Sequence, residues 1–140
     1  MRTRFLPLAA VTPILSLLAC ARGGTTPAAH APLPAPARHD VTPPELRAMM
    51  QAKDFVLVNV HVPYAGDIPG TDLSIPFDQI AAQLDRLPAD KTAKVVLYCR
   101  SGAMSETAAA TLLSLGYTNV FHLVGGMRAW SAAGYPLDVR

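Results

Sequence analysis

From about residue 41 onward the chain alternates between two hydrophobic patterns. Phe55 to Val60 (FVLVNV) and Lys94 to Cys99 (KVVLYC) are short β-rich apolar runs, the pattern of strands buried on both faces. Asn119 to Leu123 adds a further strand, and Leu73 to Ile75 a shorter one stopped by Pro76. Between these runs the spacing turns helical. Thr42-Pro43-Pro44-Glu45 predicts a helix start, with a capping Thr, proline in the first turn and Glu three residues after the cap; the helix runs to about Gln51. Phe77, Ile80, Ala81 and Leu84 recur at helical spacing, with Pro88 just beyond. Ala103 to Leu115 carries small and apolar residues at the same spacing, and Gly116 suits a C-cap. Pro63, Gly66, Pro69 and Gly70 mark a loop. Gly125-Gly126 turns the chain into a last helix near Met127 to Ala133. Strands alternating with helices predict a parallel sheet covered on both faces.

The first 40 residues follow neither pattern. In residues 1–19, Arg2 and Arg4 precede an apolar stretch from Phe5 to Ala19 that is broken by Pro7 and Pro13. It is short for a membrane span and has the layout of a secretory signal. It ends Leu17-Leu18-Ala19-Cys20, which resembles the bacterial lipoprotein box. That resemblance implies cleavage before Cys20 and lipidation of its thiol. Acyl chains then hold a protein to a membrane through about 0.8 kcal/mol per buried CH₂. The alternative is an ordinary signal peptide with an incidental Cys. Residues 20–40 are rich in Ala, Pro, Gly and Thr and read as a semi-extended linker joining the lipidated Cys to the domain. His30 and His39 lie in it without a partner in the sequence, so no metal site is expected there. The folded domain is expected over residues 41–140.

Composition narrows the function. At 140 residues the chain has room for one domain and no second full core. The overall charge is +2, but residues 41–140 carry eight Lys/Arg and nine Asp/Glu, a net of −1. A basic patch for nucleic acid is therefore not supported. Two cysteines exclude a disulfide scaffold and a cysteine-rich zinc module. No cofactor or metal is expected.

The candidate chemistry sits at Cys99. This residue ends a strand, and Arg100-Ser101-Gly102-Ala103-Met104-Ser105 leads directly into a helix. A strand–loop–helix turn aims backbone N–H groups and the positive end of the helix at one point, on the carboxyl edge of the sheet where ligands bind. A thiol held there ionises more readily. Gly102 permits the positive φ that curls the amides inward, and Arg100 supplies a fixed cation. The other reading of a strand-end Cys is a small buried hydrophobe. Phosphatases built on a Cys loop place an Arg six positions later to clamp phosphate oxygens; position 105 is Ser.

Three motifs together resemble the rhodanese (sulfurtransferase) family. Cys99 to Ser105 (CRSGAMS) is similar to the active loop of single-domain rhodaneses. Gly125-Gly126-Met127-Arg128-Ala129-Trp130 with Gly134-Tyr135-Pro136 looks like the C-terminal signature, and Ile68-Pro69-Gly70 with Ile75-Pro76 like the upstream one. The resemblance implies a three-layer α/β/α domain with a mainly parallel sheet of about five strands. It also implies a sulfurtransferase: Cys99 takes a sulfane sulfur from thiosulfate, a persulfide or polysulfide, and passes it to a thiol or cyanide. Residues 100–105 would bind the substrate, with Arg100 on the sulfonate end of the donor and the loop amides on the persulfide anion. A non-enzymatic sulfur carrier or interaction module beside an unidentified protein partner is the alternative.

Departures from the pattern also carry meaning. Where the family's first strand usually ends Asp-Val-Arg, this chain has Asn59-Val60-His61. His61 is either an accessory proton shuttle or a strand-end histidine bonded to backbone. Many relatives carry Arg where this chain has Met104, which implies one cation fewer at the site. Trp130 is expected in the core. With the lipoprotein box, the expected location is extracytoplasmic, anchored by lipid to a bacterial membrane on the periplasmic side or at the cell surface.

Overall fold

A computed structural model describes residues 37–139. The lipoprotein box, Cys20 and His30 lie outside the described residues. Within them, β1 (Ala37–Val41), β2 (Val56–Asn59), β3 (Leu73–Ser74), β4 (Val95–Tyr98) and β5 (Asn119–Leu123) form one sheet in the order β1-β5-β4-β2-β3. Every pairing is parallel. Three α-helices cover it: α1 (Pro43–Met49), α2 (Ala103–Ser114) and α3 (Gly126–Ala132).

Strand alternation divides the interior into two cores. Val58, Val95, Leu97, Cys99 and Val120 face α2, where they meet Ala108, Ala109 and Leu112. Leu57, Val96, Tyr98 and Leu123 face the opposite side and pack with Leu46 of α1 and Met127 and Trp130 of α3. The three-layer α/β/α architecture expected from the sequence follows, with β4, buried at all four positions, near its centre. Trp130 is fully buried, and its Nε1–H donates to the Pro136 carbonyl at 2.8 Å. The cap of α1 forms as its sequence predicts: the Thr42 amide donates to Glu45 Oε2 at 2.7 Å.

Two elements differ from the sequence-based expectation. Residues 37–40, assigned to the linker, are strand β1, paired along its length with β5. The strand escapes a hydrophobic reading because it is an edge: Ala37 to Asp40 are exposed and only Val41 is buried. Polar contacts fix it instead. Arg38 pairs with Asp40 at 2.9 Å and with Glu106 of α2 at 2.6 Å, and His39 stacks on Phe121 with ring centroids 4.7 Å apart. The helix expected around Phe77 to Leu84 is a run of turns closed by a 3₁₀ segment at Leu84–Arg86. Its bonds are mainly of the three-residue kind, Gln79 N–H to Pro76 O and Ala82 N–H to Gln79 O. Only Ile80 of the expected helical face is fully buried and Ala81 is exposed, so turns suffice for the packing.

A buried polar cluster braces the end of β2. Asn59 Nδ2 donates to the Gly66 carbonyl at 2.9 Å and to Asp67 Oδ1 at 3.0 Å. Tyr64 and Tyr98 hydroxyls also donate to Asp67, at 2.9 and 3.3 Å. Burial pushes the Tyr98 hydroxyl well above its usual ionisation range. Asn59→Asp faces two acceptors with a third and sets carboxylate against carboxylate. We predict a loss of about 3 kcal/mol of stability at neutral pH. The new carboxyl is pushed above its usual range, so its proton, once bound, restores a donor and the loss shrinks as pH falls. Urea unfolding of the variant at neutral and mildly acidic pH measures both; a loss that grows on acidification contradicts the assignment.

Candidate active site

The loop after β4 curls around the sulfur of Cys99. The residue is buried, at 1% exposure. Gly102 adopts φ +106°, so its amide turns inward and donates to Sγ at 3.0 Å. The Ser105 hydroxyl lies 3.6 Å from Sγ. Burial alone raises the thiol's ionisation midpoint, but the Ser105 amide and hydroxyl and the amides of Gly102 and Ser101 outweigh it and hold Cys99 below its ordinary value. Ser105 lies in the first turn of α2, twelve residues long, Gly102 is its N-cap and Ser101 precedes it, so the aligned peptide dipoles of the helix point the same way. The structure thus brings Cys99, Ser101, Gly102 and Ser105 together around one anion-stabilising point.

The remaining sequence-singled residues fall at different distances from that point. Arg100 and Ala103 are exposed. Met104 packs its side chain on the α2-side core. Arg100 instead meets Arg128 of α3 across a cavity of about 320 Å³, also lined by Ala65, Met127, Ser131 and Leu137. Arg128 thus brings a guanidinium from α3 to the cavity that Arg100 lines, while Cys99 is not among its lining residues. Among the described residues, no carboxylate pairs with either arginine. His61 follows β2. Its amide donates to Asn59 Oδ1 at 3.0 Å, while its ring Nδ1 is buried without a hydrogen-bond partner, unlike a histidine bonded to backbone through that atom. Burial, then the charge of Arg100, lowers its pKa.

One residue at the site was missed. His122 on β5 is buried, and its Nδ1 lies 2.9 Å from the Ser105 hydroxyl. The available signal was strand parity: His122 shares an inward position with Val120, on the strand paired with β4.

The β5–α3 turn closes the site from behind. Met127 N–H donates to the Cys99 carbonyl at 2.8 Å, and Arg128 N–H to the Arg100 carbonyl at 3.0 Å. Gly126 sits so close that a Cβ there would lie 2.2 Å from the Cys99 oxygen, at φ +56°.

A buried thiol ringed by amide donors at a strand–loop–helix turn defines a cysteine-centred α/β/α domain. The comparisons make that class specific. Residues 42–133 match the rhodanese-like domain family model. A sulfurtransferase from Allochromatium vinosum is 37% identical over 92 residues, covering 64% of this chain and 83% of that protein. A probable adenylyltransferase/sulfurtransferase from Mycobacterium tuberculosis is 36% identical over 101 residues, covering 69% of this chain; the chain spans only 25% of that relative's length. The crystal structure of a rhodanese-related protein from Thermoplasma volcanium superposes with a TM-score of 0.62 at 23% identity, covering 73% of this chain and 99% of that one, and so shares the fold. The chain belongs to the rhodanese-like domain family.

The Gly126 contact is testable. Gly126→Ala forces a side chain into backbone and into a left-handed conformation, with an expected cost of about 3 kcal/mol or more. Thermal unfolding measures it; a variant as stable as the parent contradicts the packing described.

Proposed function

We propose that this protein is a sulfurtransferase that carries sulfane sulfur as a persulfide on Cys99. The single observation behind the reading is the Gly102 amide 3.0 Å from Sγ, one of a ring of donors that keeps the thiol below its ordinary midpoint. The thiolate attacks the outer sulfur of thiosulfate or a polysulfide. A new S–S bond forms to Cys99, the old one breaks, and sulfite or the shortened polysulfide leaves with its electron pair. The loop amides then stabilise the terminal persulfide sulfur as they stabilised the thiolate. A thiolate or cyanide acceptor takes that outer sulfur and returns the electron pair to Cys99. Arg100 holds the anionic end of the donor, and Arg128, which lines the same cavity, offers a second cation beside it.

A sulfur-carrier role beside another protein is the second reading. It draws support from the mycobacterial relative, of which a domain like this one makes up a quarter. In either role we place the domain outside the cytoplasm, tethered to a bacterial membrane by lipid on Cys20.

Intact mass after incubation with thiosulfate tests the covalent step. The parent chain is expected to gain one sulfur and Cys99→Ser none. No gain on the parent with thiosulfate or polysulfide refutes persulfide formation. Cyanide should then release the sulfur as thiocyanate catalytically; single-turnover loading without turnover favours the carrier reading. Anchoring is tested apart: Cys20→Ala should release the protein from the membrane fraction, and retention refutes the lipid.

A further inference from the structure

We propose that His122 is a positioning residue that turns the Ser105 hydroxyl toward the Cys99 sulfur and so stabilises its anionic form. The hydroxyl has one proton and three neighbours that can accept it: Cys99 Sγ at 3.6 Å, the Gly102 carbonyl at 2.9 Å and His122 Nδ1 at 2.9 Å. Which one receives it depends on the imidazole. With its proton on Nδ1, His122 donates to Ser105 Oγ and cannot accept, which leaves the hydroxyl proton to the Gly102 carbonyl or the sulfur. With its proton on Nε2, the bare Nδ1 accepts the hydroxyl proton and draws it from the sulfur. A thiolate, or a persulfide anion carried there, favours the first arrangement, because its charge attracts the hydroxyl hydrogen. The row then runs His122 N–H to Ser105 O–H to sulfur, with no net proton transfer.

The fold holds this row rigidly. Ser105 is fully buried and His122 nearly so. The imidazole lies under the loop: a Cβ added to Gly102 would stand 3.4 Å from its Cε1. Burial holds His122 below its ordinary pKa, which keeps the ring neutral and leaves the tautomer as its variable. The charged groups facing it come from two elements. Asp40, its register partner on β1, and Glu106 of α2 raise its pKa; Arg38 of β1 lowers it. Cys99, at the end of β4, is the fourth titratable group facing the row.

This inference rests on the reading of Cys99 as the reactive thiol, and its test reads ionisation rather than sulfur loading, so either can fail alone. The full chain carrying Cys20→Ala is titrated by thiolate ultraviolet absorbance, with the same chain carrying Cys99→Ala as the blank. Ser105→Ala should raise the midpoint by about one pH unit, the worth of one hydrogen bond to a charged group. His122→Leu should raise it by most of that amount, and the double variant no further. His122→Asn, whose amide nitrogen stands near the Nδ1 position, should keep the parent midpoint. An unchanged midpoint in folded His122→Leu, full additivity with Ser105→Ala, or no rescue by Asn overturns the proposal. Nitrogen-15 imidazole shifts of the parent decide the matter even where a variant fails to fold. Once Cys99 has ionised, His122 must carry its proton on Nδ1; a bare Nδ1 overturns the proposal.

Discussion

The hydrogen bond from Met127 N–H to the Cys99 carbonyl holds the domain's functional end together. It fastens the last residue of the β4 run to the first turn of α3. One peptide further, Arg128 N–H repeats the fastening on Arg100. With the carbonyls of 99 and 100 turned toward α3, the chain can only leave β4 by curling the other way. The amides of Ser101, Gly102 and Ser105 then converge on the sulfur. Gly126 permits this because it brings no side chain between the two backbones. The anion-stabilising ring is thus a consequence of how β5–α3 docks behind β4, not of the loop alone.

Much of this arrangement is legible in the residues. Apolar runs locate β2 and β4 within a residue or two, because strands covered on both faces are largely apolar, and β5 falls on Asn119 to Leu123 despite its Asn and His. The positive φ of Gly102 and the helix that follows are implied by the residue order around Cys99. What the pattern does not disclose depends on partners distant in sequence. Strand β1 carries no apolar signature because ladder bonds and the Arg38–Glu106 ion pair hold an exposed edge. The turns after Phe77 bury Ile80 and partly bury Phe77 and Leu84 but leave Ala81 exposed, a contact pattern that needs no full helical ladder. His122 stands 23 positions from Cys99 and meets Ser105 only when β5 lies beside β4.

The two polar interiors on opposite faces of the sheet play different parts. Asn59 and Asp67, with the tyrosines around them, brace the segment after β2. That segment carries Ala65 to the rim of the cavity shared by Arg100 and Arg128. Ser105 and His122 occupy the α2 side, with the Ser105 hydroxyl 3.6 Å from the sulfur and His122 behind it on that hydroxyl. One cluster lies beside the arginine-lined cavity, and the other lies beside the sulfur. Met104 belongs to neither, since its side chain fills the core.

The place where the chain joins the fold has a mechanical meaning. Everything upstream of Ala37 connects through β1, an edge strand that pairs only with β5. Tension arriving along the backbone is thus borne first by the β1–β5 ladder and by the Arg38–Glu106 link to α2. Those contacts lead within one strand to His122 and within one residue of α2 to Ser105. The same strand ends at Val41 in the α1-side core, so the entry of the chain touches both that core and, through β5, the neighbourhood of the thiol.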